Sequence, residues 1–558
     1  MPHHSPLRLC SLTAALGLSL LTTPARAGAP VLTAAAPQPD GDDQFIVGFR
    51  EGTAERRDPA VVATGLRALA SRAASRLGAN GRGLELKHLR RLAVGADVIQ
   101  VDRKLGRSES EALMRELAAH PSVDYIEPDR VVEPLFVPNE PLYGVLWQYA
   151  DFTNGIRPEA AWDRASGAGV VVAVLDTGIL NHSDLSANQL PGYDFISEST
   201  RARDGNGRDS NPADEGDWRA DGECGSGTFA RNSTWHGTHV SGSIAALTHN
   251  AKGVAGVAFN SRFVPVRVLG RCGGRSSDIV DGIVWAAGGW VLGAPANANP
   301  ASVINMSLGG EGACGSSYQS AINFAVERGV TVVVSAGNES ADASTKSPAN
   351  CANVITVAAS TSSGRLAGYS NFGTTIDVTA PGSDILSTGN TGTTTPSGEN
   401  YIYMNGTSMA APHVAGIVAL VKSANPPSCP GKTPAQLEAL LRSTARPLPG
   451  GCPNGCGAGL VDASAAVLVA QSNQPPSSSF SYSVSNFTVD VVGYPWDCDG
   501  TVTSYVIDFG DGATSNAINA SHTYSAPGSY TLTLTTVDDD GAVGVYSQSV
   551  WISGSDST

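Results

Sequence analysis

Residues 170–178 read Val-Val-Val-Ala-Val-Leu-Asp-Thr-Gly, six consecutive apolar side chains stopped by an acid and a glycine corner. A run that is apolar at every position, not at every second one, is a strand covered on both faces. Four further runs share the rhythm: RFVPVRVLG at 262–270, SVINMSLGG at 302–310, VTVVVSAGN at 330–338 and NVITVAAS at 353–360. Helical patterns separate them, at 239–247, 277–288, 317–329 and 411–424. Continuous apolar strands alternating with helices predict an α/β fold, a mostly parallel sheet with helices on both faces, over 134–470. In such sheets ligands bind in the crevice at the carboxyl ends of the strands. Asp176, Ser307 and Asn338 stand at such ends.

Working outward, the chain of 558 residues is long enough for several domains. Hydrophobic residues make up 41% and charged ones 16%, with 63 Gly and 33 Pro. That composition excludes a coiled coil, a collagen and a disordered polyelectrolyte. The net charge of −15 argues against a phosphate backbone as the main partner, so nucleic acid is not expected.

The first 27 residues combine His3, His4 and Arg8, an apolar run at 9–21, and Ala25-Arg26-Ala27, the pattern of a secretory signal. The apolar run is too short to span a bilayer, and no membrane partner is expected. The expected product is secreted, extracellular and monomeric. Cys10 leaves with the signal, and eight cysteines enter a space where disulfides persist. Order and proximity suggest Cys224 with Cys272, Cys314 with Cys351, and Cys452 with Cys456 across CPNGC. Cys429 and Cys498 are left over, either paired across domains or free.

Residues 28–133 have balanced charge and a small α+β pattern, with strands at 43–49 and 97–102 and a helix followed by a strand at 108–128. Residues 471–479, QSNQPPSSS, are a Pro/Ser linker. Beyond them, alternating strands with Gly and Asp turns over 480–554 predict an all-β sandwich. This last segment resembles the PKD domain through DFGDG at 508–512, HTY at 522–524, PGSY at 527–530 and LTTVDDDG at 534–541.

Three signatures carry chemistry: VLDTGI around Asp176, HGTHVSG around His236 and NGTSMAAPHVAG around Ser408. With SAGN around Asn338 they closely resemble the catalytic segments of subtilisin-like serine proteases over roughly 140–470, and the chain order Asp, His, Ser is that of subtilisin. The resemblance implies a subtilisin-like fold, protein and peptide substrates, and 28–133 as a propeptide acting as intramolecular inhibitor, released by self-cleavage near 133–137.

The residue types suit that chemistry. A serine hydroxyl is a weak nucleophile that needs an adjacent base, here His236, oriented by a carboxylate, here Asp176. Ser408 begins a predicted helix, where free N–H groups favour negative charge, and its N–H with the Asn338 amide would form an oxyanion hole. Pro412 inside that helix cannot bond the carbonyl of Ser408, which suits a bent active-site helix. Another reading of His236 and His239, three apart, is a pair of metal ligands on one helix face.

Ser307, Leu308 and Gly309 on one side and Leu269 and Gly270 on the other present strand ends to which an extended peptide can pair. Calcium is the expected structural cofactor. The resemblance places one site at Asp184 and Asn250, with Gln148 adding an amide oxygen. The acidic loop 204–218 offers Asp204, Asn206, Asp209 and Asp214, oxygen donors suited to a hard cation, or else a solvated turn.

Overall fold

The computed structural model describes residues 42–65, 84–129, 131, 136–425 and 428–553. The expected signal at 1–27 lies outside these residues, as does most of the expected cleavage region. The chain divides after Val131 into two compact units, each described by itself.

In the first unit four antiparallel strands form one sheet in the order β2-β3-β1-β4. They are β1 (Asp42–Phe49), β2 (Leu86–Arg91), β3 (Asp97–Leu105) and β4 (Val123–Pro128). Helix α1 (Arg107–Ala118) sets Leu113, Met114 and Leu117 against Phe45, Ile99 and Ile126, closing a core of its own. The small α+β body expected between 28 and 133 is therefore present.

The second unit is built around seven strands, all parallel: β5 (Val171–Asp176), β6 (Tyr193–Asp194), β7 (Arg262–Arg267), β8 (Val303–Met306), β9 (Thr331–Ser335), β10 (Ile355–Ser360) and β11 (Val378–Pro381). Their order is β11-β10-β9-β8-β5-β7-β6. Alternate residues of one strand reach opposite layers, as the pleat requires. Val172 and Val174 pack with α2 (His236–Ala245) and α5 (Thr407–Ala424) on one face. Ala173 and Leu175 pack with α3 (Ser276–Ala286) and α4 (Ser316–Val326) on the other. Strand β5 lies between β7 and β8, from which the chain progresses toward opposite edges of the sheet. The crevice above its carboxyl end is where such a sheet binds ligands.

A hairpin of β12 (Ile385–Asn390) and β13 (Glu399–Met404) leads into α5, and α6 (Pro434–Thr444) and α7 (Ala463–Ala470) complete the layer. The C-terminal residues form two antiparallel sheets, of three and four strands, closing on Val489, Val491, Ile507, Leu532, Leu534 and Val550, which is the expected sandwich. Asp508 and Asp511 accept the N–H groups of Gly510 and Ala513 and so act as turn residues.

Two expectations about the junctions change. Cys224–Cys272 and Cys314–Cys351 pair as expected, but Cys429 bonds Cys498 across the domains. Residues 471–479 are consequently not a free linker: Gln474 bonds Lys432 and the Asp499 carboxylate, and Asn473 bonds Asp538. Cys452 and Cys456, expected to bridge, are instead two interacting thiols. Burial, with the Cys452 contact adding to it, pushes the Cys456 thiol up to about 12. Disulfide exchange runs through the thiolate, and a thiol so shifted yields little of it.

Candidate active site

Asp176 is the last residue of β5 and is fully buried. Its Oδ1 accepts the Thr177 N–H at 2.7 Å and lies 2.7 Å from His236 Nδ1. His236 is the first residue of α2, and Gly237 lets the helix start close against the β5 corner, where a Cβ would collide with the carbonyl of Gly178. Burial lowers the imidazole's affinity for a proton, but the charge and hydrogen bond of Asp176 outweigh it and hold His236 above its ordinary value. With Nδ1–H committed to the carboxylate, Nε2 is left as the basic nitrogen.

His239, one turn on, is spent differently. Its Nε2 donates to the carbonyls of Ile385 and Ile402 in the hairpin, and burial pushes its pKa down to about 3. The two histidines are therefore not a metal-ligand pair.

Helix α5 packs beside α2 and carries Ser408 in its first turn. Gly406 precedes the helix at φ 156°, and Asn338 Oδ1 accepts both the N–H of Thr407 at 2.8 Å and its hydroxyl at 3.0 Å. Holding Oδ1 inward turns the Asn338 Nδ2 outward. Asn338 thus sits against the Gly406–Ser408 corner, its side-chain amide beside the start of the helix that carries Ser408.

Pro412 leaves the Ser408 carbonyl without its helical donor. Ser307, just past the end of β8, supplies one: its hydroxyl donates to Ser408 O at 2.7 Å, while Asn305 Nδ2 holds Ser307 Oγ at 3.0 Å. The Ser408 hydroxyl in turn donates to Ser307 O at 3.2 Å rather than to His236, so a rotation of its side chain precedes any proton transfer to the imidazole. Apo sites commonly tighten this contact only with substrate present.

Of the two expected substrate edges, one contacts Ser408 through Ser307 and the other contacts Asp176 through Leu269. Ser307, Leu308 and Gly309 follow β8 and run into the ribbon Gly310–Glu311, which pairs with Lys346–Ser347. Leu269 and Gly270 follow β7, with the Leu269 N–H on Asp176 O and Gly270 in a turn with Gly273. The Cys224–Cys272 bridge fastens that turn to the loop 219–231, whose ends pair through Arg219 and Arg231.

The expected calcium residues separate into two groups. Asp184 is buried; its Oδ1 accepts from Asn250 Nδ2 at 2.7 Å and its Oδ2 from Tyr401 at 3.1 Å. Glu140, which the sequence reading missed, reaches the same loop: its Oε1 accepts the Asn250 N–H at 3.0 Å, and its buried Oε2 has no partner among the described residues. Burial raises the Asp184 carboxyl. Two buried carboxylates around one asparagine, one oxygen unpartnered, fit a hard cation. Gln148, buried in a short helix at 147–150, likewise leaves its Oε1 without a partner among the described residues, and no hydrogen bond ties it to Asp184 or Glu140.

The acidic loop has another solution. The buried Arg267 guanidinium bonds Asp194 and, at 3.3 Å, Asp204. Asn206 turns its amide to Asp209 at 2.8 Å, and Asp214 lies apart beneath Thr177. Asn206 also gives its N–H to Asp204 at 3.1 Å, so Asp204, Asn206 and Asp209 neighbour one another while Asp214 does not join them.

Comparison with known proteins follows the same lines. The family model described as the subtilase family matches residues 167–459, and one for the PKD domain matches 485–552. The chain is 54% identical over 456 residues to an extracellular protease of Xanthomonas campestris, covering 82% of this chain and 77% of that protein. It is 44% identical over 436 residues to an extracellular basic protease of Dichelobacter nodosus, covering 77% and 71%. A solved protease structure from Pseudoalteromonas arctica superposes with a TM-score of 0.59 at 52% identity, covering 60% of this chain and all of that one.

Proposed function

The chain belongs to the subtilase family and is a serine endopeptidase, and from that premise we propose that it cuts proteins outside the cell by acyl transfer through Ser408. The Ser408 hydroxyl attacks the scissile carbonyl while His236 Nε2 takes its proton, and Asp176 stabilises the imidazolium and fixes its tautomer. The oxyanion forms between the Ser408 N–H and Asn338 Nδ2. His236 then protonates the leaving amine, and water activated by the same nitrogen releases the acyl group. The substrate backbone pairs with Ser307–Gly309 and with Leu269 and Gly270 as an added strand. The 2.7 Å bond between His236 and Asp176 is the observation that carries this reading.

Residues 28–133 act as the inhibitory propeptide, which the protease removes by its own cleavage near 133–137. Calcium, when bound, crosslinks the loop at 247–254 to the N-terminal segment of the second unit, with Asp184, Glu140 and Asn250 as its holders. Export matches the relatives named as extracellular.

Hydrolysis of casein that a serine-directed sulfonyl reagent abolishes, together with secretion of Ser408→Ala as an unprocessed chain, is the expected result. Normal processing of Ser408→Ala would assign maturation to another protease, and casein hydrolysis untouched by the reagent would remove the serine mechanism.

A further inference from the structure

Beneath the Asp176 corner lies a carboxylate that the acyl-transfer scheme does not use. Asp214 is 1% exposed, and its Oδ2 accepts the Thr177 hydroxyl at 2.6 Å while its Oδ1 accepts the Gly216 N–H at 2.9 Å. Burial raises this carboxyl to about 7, against the pull of the Thr177 and Gly216 hydrogen bonds, which favour its charged form. With its proton committed to Asp214, the Thr177 oxygen turns a lone pair to the Gly237 N–H, which donates to it at 3.0 Å. Gly237 directly follows His236, and Thr177 directly follows Asp176. The Thr177 N–H is itself bonded to the Asp176 oxygen that faces His236.

From the opposite side Arg267 donates its Nε–H to the Thr177 carbonyl at 3.2 Å. Its other nitrogens are committed to Asp194 and to Ala202 O, so the guanidinium is fixed. The backbone of Asp214 joins in, its N–H bonding Ile179 O at 3.1 Å. Thr177 is thus gripped at its hydroxyl, its N–H and its carbonyl.

We propose that Asp214 is a positioning residue of the protease, acting through the Thr177 hydroxyl to lock the end of the Asp176 strand to the start of the His236 helix. The assignment rests on the Asp176, His236 and Ser408 reading. It replaces a metal role for Asp214 with a mechanical one. The carboxylate fixes which way one hydroxyl points, and that hydroxyl sets the separation of the two groups that must share a proton. A misplacement of about 1 Å at such a pair costs about 10²-fold in rate.

Thr177→Val keeps the shape and removes the hydroxyl, Thr177→Ser keeps the hydroxyl, and Asp214→Asn replaces the carboxyl by an amide. Each is matured in trans by tagged parent enzyme that is afterwards withdrawn, and competent sites are counted with a fluorophosphonate. Besides Asp176 on the strand, the charged and titratable groups around His236 are Asp217 and Arg231 from the preceding loop and His239 in its own helix. All are left unchanged.

For Thr177→Val we expect kcat on a peptide anilide to fall about 10- to 100-fold at a KM within twofold of the parent. The acid limb of kcat/KM moves to lower pH, as Asp176 supports the imidazolium less well. Thr177→Ser restores both within threefold, and Asp214→Asn follows the valine variant. A valine variant with parental kcat and an unmoved limb overturns the proposal, as does an equal loss in the serine and valine variants. If Asp214→Asn does not fold, the Thr177 pair still decides. An active Ser408→Ala control would instead refute the underlying acyl-transfer reading.

Discussion

Replacing Asn338 by alanine removes two separate things, and the geometry says which assay sees each. On the proposed mechanism the Nδ2 donor meets a negative oxygen only in the transition state. Its loss is expected to cost about 2.7–4 kcal/mol, or 10²–10³ in kcat, at unchanged KM. The Oδ1 acceptor holds the N–H and hydroxyl of Thr407 at the start of the nucleophile's helix. Losing such a cap costs about 0.5–2 kcal/mol of stability, which shows as a melting temperature lower by a few degrees. Asn338→Asp separates the two, since a carboxylate still accepts from Thr407 but no longer donates to the oxyanion. The assay is steady-state hydrolysis of a chromogenic peptide alongside thermal unfolding. We expect both effects in the alanine variant, and in the aspartate variant a kcat loss at least as large with little loss of stability. A kcat within tenfold of the parent in both variants, or a raised KM at constant kcat, would show that Asn338 is a cap or a substrate contact and not an oxyanion donor.

Five further outcomes follow from the same structure. Ser307→Ala leaves the Ser408 carbonyl, already deprived by Pro412, with no donor and is expected to destabilise by about 1–3 kcal/mol; pairing it with Pro412→Ala, which restores a helical N–H, recovers much of that in a double-mutant cycle of melting curves. Because His236 is held above its ordinary value near 6.5, the base is lost as pH falls through that raised value, and in Asp176→Asn the residual activity's limb moves to lower pH. The same raised value means that the protonated pair adds stability below about pH 6.5, lost as pH rises through the folded value, which a pH series of unfolding curves would register. A chelator is expected to lower the parent's melting temperature, with little further effect on Asp184→Asn or Glu140→Gln, and an equal drop in all three would place the cation elsewhere. After nicking within 471–479, the C-terminal domain should stay attached on a non-reducing gel through Cys429–Cys498 and separate on reduction.

Strands β5, β7, β8, β9 and β10 were legible because each is a run of mostly apolar residues without polar alternation, the mark of a strand buried on both faces. Helices α2 to α5 were legible from their period. Strand β11 and the β12–β13 hairpin were not: the former is four residues long, and the exposed ENYIYM of the latter carries no burial pattern. Helix α6 did have a signal in Thr433, Pro434 and Gln436, which form a capping box that the reading passed over. At the site, Asp176, His236, Asn338 and Ser408 stood out because short motifs surround them. Glu140 and the Thr177 clamp did not, since their significance arises only when segments distant in sequence are folded together. The surroundings of the acidic loop were hidden for the same reason: Arg267, which bonds Asp204, lies on β7, dozens of residues away. Cys429 and Cys498 stayed ambiguous because the linker between them read as flexible.

The central claim is that Ser408 is the nucleophile and His236 its base. Its most direct measurement is peptide mapping of the adduct left by a fluorophosphonate on the mature enzyme, in the parent and in His236→Ala. The account predicts one adduct, on Ser408, forming in step with loss of proteolysis and slowed by orders of magnitude in His236→Ala. An adduct on another residue accompanying inactivation, or labelling of Ser408 at the parental rate without the imidazole, would contradict it.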